Sequence, residues 1–222
     1  MIPWSDIDTV LLDMDGTLLD LHFDNHFWQT HLPQRYAEQN GLTIDQALTH
    51  LTERFRAEEG GLNWYSTAYW SKALDLDIPA LKLEVAHLIQ IRPEVLPFLR
   101  RLDELGKRLL LVTNAHHESL QIKLRVTQLE EALHEIHTTH DIGLAKEQPG
   151  FWERFAEREA FEPSRTLLVD DNLDVLRNAR DYGIGYLLAI HQPDSQAAPK
   201  HPEGFTALQS FADITPGRDQ AD

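Results

Sequence analysis

The stretch TVLLDMDGTLLD, Thr9 to Asp20, decides the fold. It opens with a threonine, a valine and two leucines in a row. An apolar run without polar alternation is the mark of a strand covered on both faces, as in a parallel sheet with helices above and below. It ends in Asp13 and Asp15, two positions apart, with Gly16 directly after them. On one strand two such residues point the same way, and a glycine there permits a sharp turn with close backbone approach. An ordinary Asp-Gly turn would use the same residues. Converging like charges repel, so if both acids face one spot, something there must neutralise them.

Working outward, similar short runs recur at RLLLVTN (Arg108 to Asn114), HEIHTT (His134 to Thr139), RTLLVDD (Arg165 to Asp171) and GYLLAI (Gly185 to Ile190). Helical segments separate them: one opened by Pro93 and closed by Gly106, then HESLQIKLRVTQL, then PGFWERFAEREA, then NLDVLRNARDYG ending at Gly183. Strands alternating with helices predict an α/β doubly wound parallel sheet. Between about Leu21 and Arg92 the strand signal vanishes. NHFWQTHLPQRYAEQNG, TIDQALTHLTERFRAEE and YSTAYWSKALDL are helix-compatible instead. The expected organisation is therefore a core of residues 1–20 and 93–222 with a helical cap, residues 21–92, inserted after the first strand. That is the edge where ligands bind in open α/β sheets, so the insertion is expected to roof the site. The tail from Gln192 to Asp222 reads as loop, one short helix and a frayed end.

Bulk properties narrow the function. The 222 residues and 42% hydrophobic content allow one sizeable core with an elaboration. A formal charge of −16 argues against nucleic-acid or anionic-membrane surfaces, which need clustered Lys and Arg. Cysteine is absent, which rules out disulfides and thiolate metal sites. No signal-peptide pattern and no membrane-length apolar run is present, so a cytoplasmic location is expected. No protein partner is expected either.

Parallel strands end on one edge, so Asp170 and Asp171 should join Asp13 and Asp15 there. Such a crowd of carboxylates calls for a hard cation, and an oxygen-only donor set favours Mg²⁺ over zinc. Thr113 and Asn114 reach the same edge with a hydroxyl and backbone N–H groups suited to a phosphate oxygen. Lys146, in DIGLAKEQPG, supplies a cation to screen the acids and a bound phosphate.

An acid pair, a threonine, a lysine and a second acid pair, in that order, resemble the haloacid dehalogenase-like superfamily of phosphohydrolases. DMDGT stands for its first motif, LLVTN for the second, Lys146 for the third and VDDN for the fourth. The resemblance implies that Asp13 is the nucleophile, Asp15 the general acid/base, Thr113 a phosphoryl-binding group and Lys146 the residue that orients the nucleophile. It also implies a Mg²⁺ site drawn from Asp13, Asp15, Asp171 and, through water, Asp170. Such chemistry is coherent: a carboxylate attacks phosphorus only when the charges of both are neutralised, and covalent capture splits one displacement into two. A response-regulator receiver also carries an acid pair after a strand, but only about 50 residues follow Asp171, too few for a typical domain. The dehalogenase branch does not need an acid at position 15, so Asp15 favours phosphoryl transfer.

For the substrate, the aromatic stretches HFDNHFW and LNWYSTAYW stand out within the expected cap. Flat purine rings suit aromatic faces. Asn25 and Asn63 could read base edges, and His22 falls near the expected hinge. The chain is similar to bacterial purine 5′-nucleotidases acting on GMP and IMP, through DTVLLDMDGTLLDL, LNWY, TNAH and KEQ, where many cap-bearing relatives carry proline after the lysine. That resemblance places Asn63, Trp64 and Tyr65 near a purine nucleoside monophosphate. The alternatives are a broad sugar-phosphate or phosphoglycolate phosphatase, a phosphomutase, and a non-catalytic Mg²⁺-binding module.

Overall fold

Successive residues of the first strand face opposite sides of the sheet, and both sides are buried. In the computed structural model, which describes residues 2–217, β1 spans Thr9–Leu12. Val10 and Leu12 join one apolar cluster, Leu11 the other, and none of the three is exposed. The same alternation runs through β2 (Arg108–Thr113) and β4 (Thr166–Asp170), with β3 (Glu135–Thr138), β5 (Tyr186–Ile190) and β6 (Thr206–Leu208) completing the sheet. The order is β3-β2-β1-β4-β5-β6, and every pairing is parallel. Leu12 is in register with Leu111 on one side and Val169 on the other. The carboxyl ends of β1, β2 and β4 therefore deliver their next residues to one edge.

Ten α-helices are placed among the described residues: α1 (His22–His26), α2 (Leu32–Asn40), α3 (Ile44–Glu58), α4 (Thr67–Leu74), α5 (Ile78–Glu84), α6 (Val95–Glu104), α7 (His117–Thr127), α8 (Thr139–Ile142), α9 (Phe151–Arg158) and α10 (Leu173–Tyr182). Phe151, Trp152 and Phe155 of α9 and Val175, Leu176 and Ala179 of α10 cover one face of the sheet; Val95, Phe98, Leu99 and Leu102 of α6 and Leu120 of α7 cover the other. This is the doubly wound architecture expected from the sequence.

Helices α1 to α5 fill the interval between β1 and β2. A π-helical turn, Phe27–His31, joins α1 to α2, and Gly41 closes α2 in the left-handed conformation (φ 63°). A reciprocal capping box between Thr43 and Gln46 starts α3, satisfying two backbone donors at once. Where the chain leaves and re-enters the sheet layer, its two passes are tied together: Asp20 N donates to Gln90 O and Arg92 N to Leu18 O, both at 2.9 Å.

Two features depart from the sequence reading. The tail contains β6, which pairs with β5, in addition to the expected loop and a short 3-10 turn at Phe211–Asp213. The frayed end expected beyond it falls at residues 218–222, outside the described residues. Helix α5 lies past the third helical segment read from the sequence, started by Asp77, whose carboxylate accepts from Ala80 N. No helix among the described residues is long and apolar enough to cross a membrane.

Candidate active site

The end of β1 drops Asp13 into a buried position, and Lys146 meets it there. Lys146 Nζ lies 2.5 Å from Asp13 Oδ1 and 2.6 Å from Asp170 Oδ2. Asp13, Asp170 and Asp171 each offer an oxygen within 4.8 Å of the others. Burial raises all three carboxyls to about 6, opposed at Asp13 and Asp170 by the Lys146 charge and at Asp171 by Lys200, whose Nζ is 3.2 Å from its Oδ2. Burial pulls Lys146 the other way, but the Asp13 and Asp170 charges more than offset it, so the ammonium is held above its ordinary value. Asp13 Oδ2 is buried without any partner. A buried carboxylate oxygen left open beside two further acids is what a hard divalent cation would complete.

Gly16 makes this crowding possible. It sits at φ +87°, and a Cβ there would come 2.8 Å from Asp171 Cγ. Thr113, the last residue of β2, and Asn114 directly after it arrive at the same edge, both buried. Thr113 Oγ1 accepts from Ala115 N at 3.0 Å. Asn114 anchors the neighbouring loop: its Oδ1 accepts from Lys146 N at 3.0 Å and its Nδ2 donates to Glu147 at 2.9 Å.

Asp15 departs from the expected convergence. The structure does not place its carboxylate with the other three acids; the strand has ended at Leu12, so the two-residue repeat no longer governs its direction. It pairs instead with Lys123 Nζ at 2.6 Å. Burial raises the Asp15 carboxyl to about 7, with Lys123 opposing and the Asp24 and Asp13 charges adding to the rise. Lys123 also binds Asp24 at 2.7 Å, and Asp24 binds Lys82 at 2.8 Å. Burial would push Asp24 up, but the two lysines more than offset it and hold its carboxyl well below the usual range.

Lys82, Lys123 and Asp24 escaped the sequence reading, although a signal was available. Lys82 follows the fully buried Ile78 by four residues and Lys123 follows the buried Leu120 by three, so each lysine lies on the apolar stripe of its helix.

A cavity of about 710 Å³ opens above the acids. Its floor includes Asp13, Asp15, Thr113, Lys146, Asp170 and Asp171, and Trp28, Leu51, Phe55, Trp64 and Tyr65 wall it. The rings interlock edge to face, Trp28 against Phe55 at 5.7 Å and Phe55 against Trp64 at 5.9 Å. Tyr65 points its hydroxyl at Glu147, 2.7 Å away. Asn25 lies on the wall, tied to Asp194 at 2.7 Å, with His22 Nδ1 3.6 Å from the same carboxylate. Asn63 is not brought to the cavity: the 3-10 turn Leu62–Tyr65 turns it outward, where it donates to Glu58.

Comparison with known proteins gives one direction. Residues 7–183 match the haloacid dehalogenase-like hydrolase family. The chain is 40% identical over 215 residues to the GMP/IMP nucleotidase YrfG of Escherichia coli (strain K12), covering 97% of both chains, and equally so to that of Shigella flexneri. Among solved structures, a HAD phosphatase from Thermococcus onnurineus superposes with a TM-score of 0.76 at 21% identity, over 94% of this chain and 96% of that one. A β-phosphoglucomutase-like protein from Thermotoga maritima gives 0.67 at 19%, over 94% and 97%. At those identities the two structures speak for the fold alone.

Proposed function

The chain belongs to the haloacid dehalogenase-like hydrolases and is a phosphoric monoester hydrolase; from that premise we propose that it is a Mg²⁺-dependent phosphatase of purine nucleoside 5′-monophosphates, GMP and IMP, acting through Asp13. The observation that carries this reading is one cavity with two chemically different ends. Carboxylates and a shared lysine lie at the floor, and tryptophan and tyrosine rings stand along the wall. A phosphate suits the first end and a purine the second. The nucleotidase relatives support the same assignment.

In this reading residues 1–20 and 93–222 form the catalytic core and residues 21–92 the cap. The Asp13 carboxylate attacks phosphorus while Lys146 orients it and offsets its charge; the bond to the ribose 5′-oxygen breaks as the aspartyl bond forms. Asp15, raised to about 7 and therefore partly protonated at neutral pH, gives its proton to that oxygen. Water then attacks the aspartyl-phosphate, Asp15 takes a proton from it, and Asp13 is released as carboxylate. Thr113 and Asn114 meet the phosphoryl oxygens, and Trp64 and Tyr65 the base. Asp13, Asp170 and Asp171 would hold Mg²⁺, an assignment supported by their oxygen-only donor set and the unpartnered Asp13 Oδ2. When bound, the ion offsets the clustered carboxylates and polarises the phosphoryl group toward attack.

Phosphate release from GMP by an Asp13→Asn variant tests the nucleophile. A loss of at least about a thousandfold, with the circular dichroism spectrum unchanged, is expected. Retention of a tenth of the activity would assign the attack to another group.

A further inference from the structure

We propose that Glu147 is a positioning residue that fastens the aromatic wall, through Tyr65, to the loop carrying Lys146. The inference rests on the reading of residues 21–92 as the wall that meets the substrate beyond its phosphate.

Glu147 stands between two parts of the chain that are 82 positions apart. One of its oxygens accepts from the Tyr65 hydroxyl at 2.7 Å, and the other accepts from Asn114 Nδ2 at 2.9 Å. Asn114 in turn takes the Lys146 N–H at 3.0 Å, and Lys146 Nζ bridges Asp13 and Asp170. A single carboxylate and a single amide therefore connect the ring wall to the ammonium at the floor. Hydrogen bonds to a charged acceptor are the strong ones, and a half-buried carboxylate deprived of one donor is left partly unsatisfied. Burial and the Glu147 charge keep the Tyr65 phenol protonated, so it remains a donor across the working pH range.

The wall is packed as one piece with Tyr65. Trp64 precedes it, the Trp64 carbonyl accepts from Trp70 Nε1 at 2.9 Å, and both tryptophan rings pack on Phe55. Two residues further on, Thr67 donates its hydroxyl to Glu118 Oε2 at 2.7 Å and sits 2.7 Å from His116 Nδ1. A second attachment thus reinforces the first on the same flank. A role confined to stability would show in unfolding and leave KM unmoved; a docking role moves KM and, because the two residues touch, makes their contributions to it one.

The test compares Tyr65→Phe, Glu147→Ala, Glu147→Gln and the Tyr65→Phe/Glu147→Ala double variant of the full chain. Steady-state GMP hydrolysis with Mg²⁺ is measured beside amide hydrogen exchange over residues 62–67. Tyr65→Phe and Glu147→Ala are each expected to raise KM for GMP about tenfold, with kcat falling less than about threefold. The double variant should be no worse than the more affected single one. Glu147→Gln, which keeps an acceptor oxygen, should stand closer to the parent. Exchange over 62–67 should rise in the first two and the double, while β1, β2 and β4 stay protected. Multiplying effects in the double variant, or exchange over 62–67 equal to the parent's, would overturn the proposal. If the parent does not hydrolyse GMP, the purine reading fails alone, and the exchange measurement decides the docking.

Discussion

Asp13, Asp170 and Asp171 were legible because charged groups at the ends of apolar runs have few bland explanations, and Lys146, a loop lysine unremarkable by itself, was legible only through its combination with the acid pairs and Thr113. Lys82 and Lys123 sit inside helices, where a lysine passes for a solvated one unless the stripe is traced. Asn63 misled because a 3-10 turn, not the residue type, sets its direction. Two expectations belong at this scale. Lys146→Met leaves two buried acids without their common cation, and kcat/KM should fall at least a hundredfold in a phosphate-release assay. Lys82→Met removes one of the two cations on Asp24, in a site where both lysines are almost wholly buried. Urea unfolding should then show a loss of about 3 kcal/mol; a change below 0.5 kcal/mol would mean the pair is not held in solution.

At the scale of elements, five of the six strands could be read: β1, β2, β4 and β5 carry continuous apolar runs, and β3 (EIHT) shows only short β-branched character at Ile136 and Thr138. β6 could not: TAL is three residues long, only Leu208 of it is buried, and it exists because β5 offers an open edge. The π-helical turn is equally silent in the sequence, yet it carries Trp28 to the cavity wall. The turn after β1 is the element on which the site depends most. Gly16→Ala would place a Cβ 2.8 Å from Asp171 Cγ on a backbone at φ +87°. A stability loss of about 1–3 kcal/mol, with activity down at least tenfold, is expected from thermal unfolding and phosphate release. Full activity in this variant would show that Asp171 does not need its present place.

For the whole molecule, which carries a net charge of −16, three acids lie together at one sheet edge. Their carboxyls rise from 3.8 to about 6 on folding, so between those values the folded chain holds protons that the unfolded chain releases. Their contribution to stability is present below about pH 4 and is lost as pH rises through 6. A bound cation reverses the balance by favouring the ionised cluster. Mg²⁺ should therefore raise the Tm by several degrees at pH 7.5 and barely at pH 5, as read by calorimetry against a chelator control; equal shifts would place the ion elsewhere. The helices between β1 and β2, read in the sequence as three helix-compatible segments where the strand signal stops, complete the cavity that this edge alone could not form.

The measurement that bears most directly on the whole account is kcat/KM for phosphate release, with Mg²⁺, across GMP, IMP, AMP, UMP, phosphoglycolate and sugar phosphates. GMP and IMP at least about tenfold above every other ester are the predicted result. A flat profile, or one led by a sugar phosphate or phosphoglycolate, would contradict it and leave the aromatic wall as packing alone.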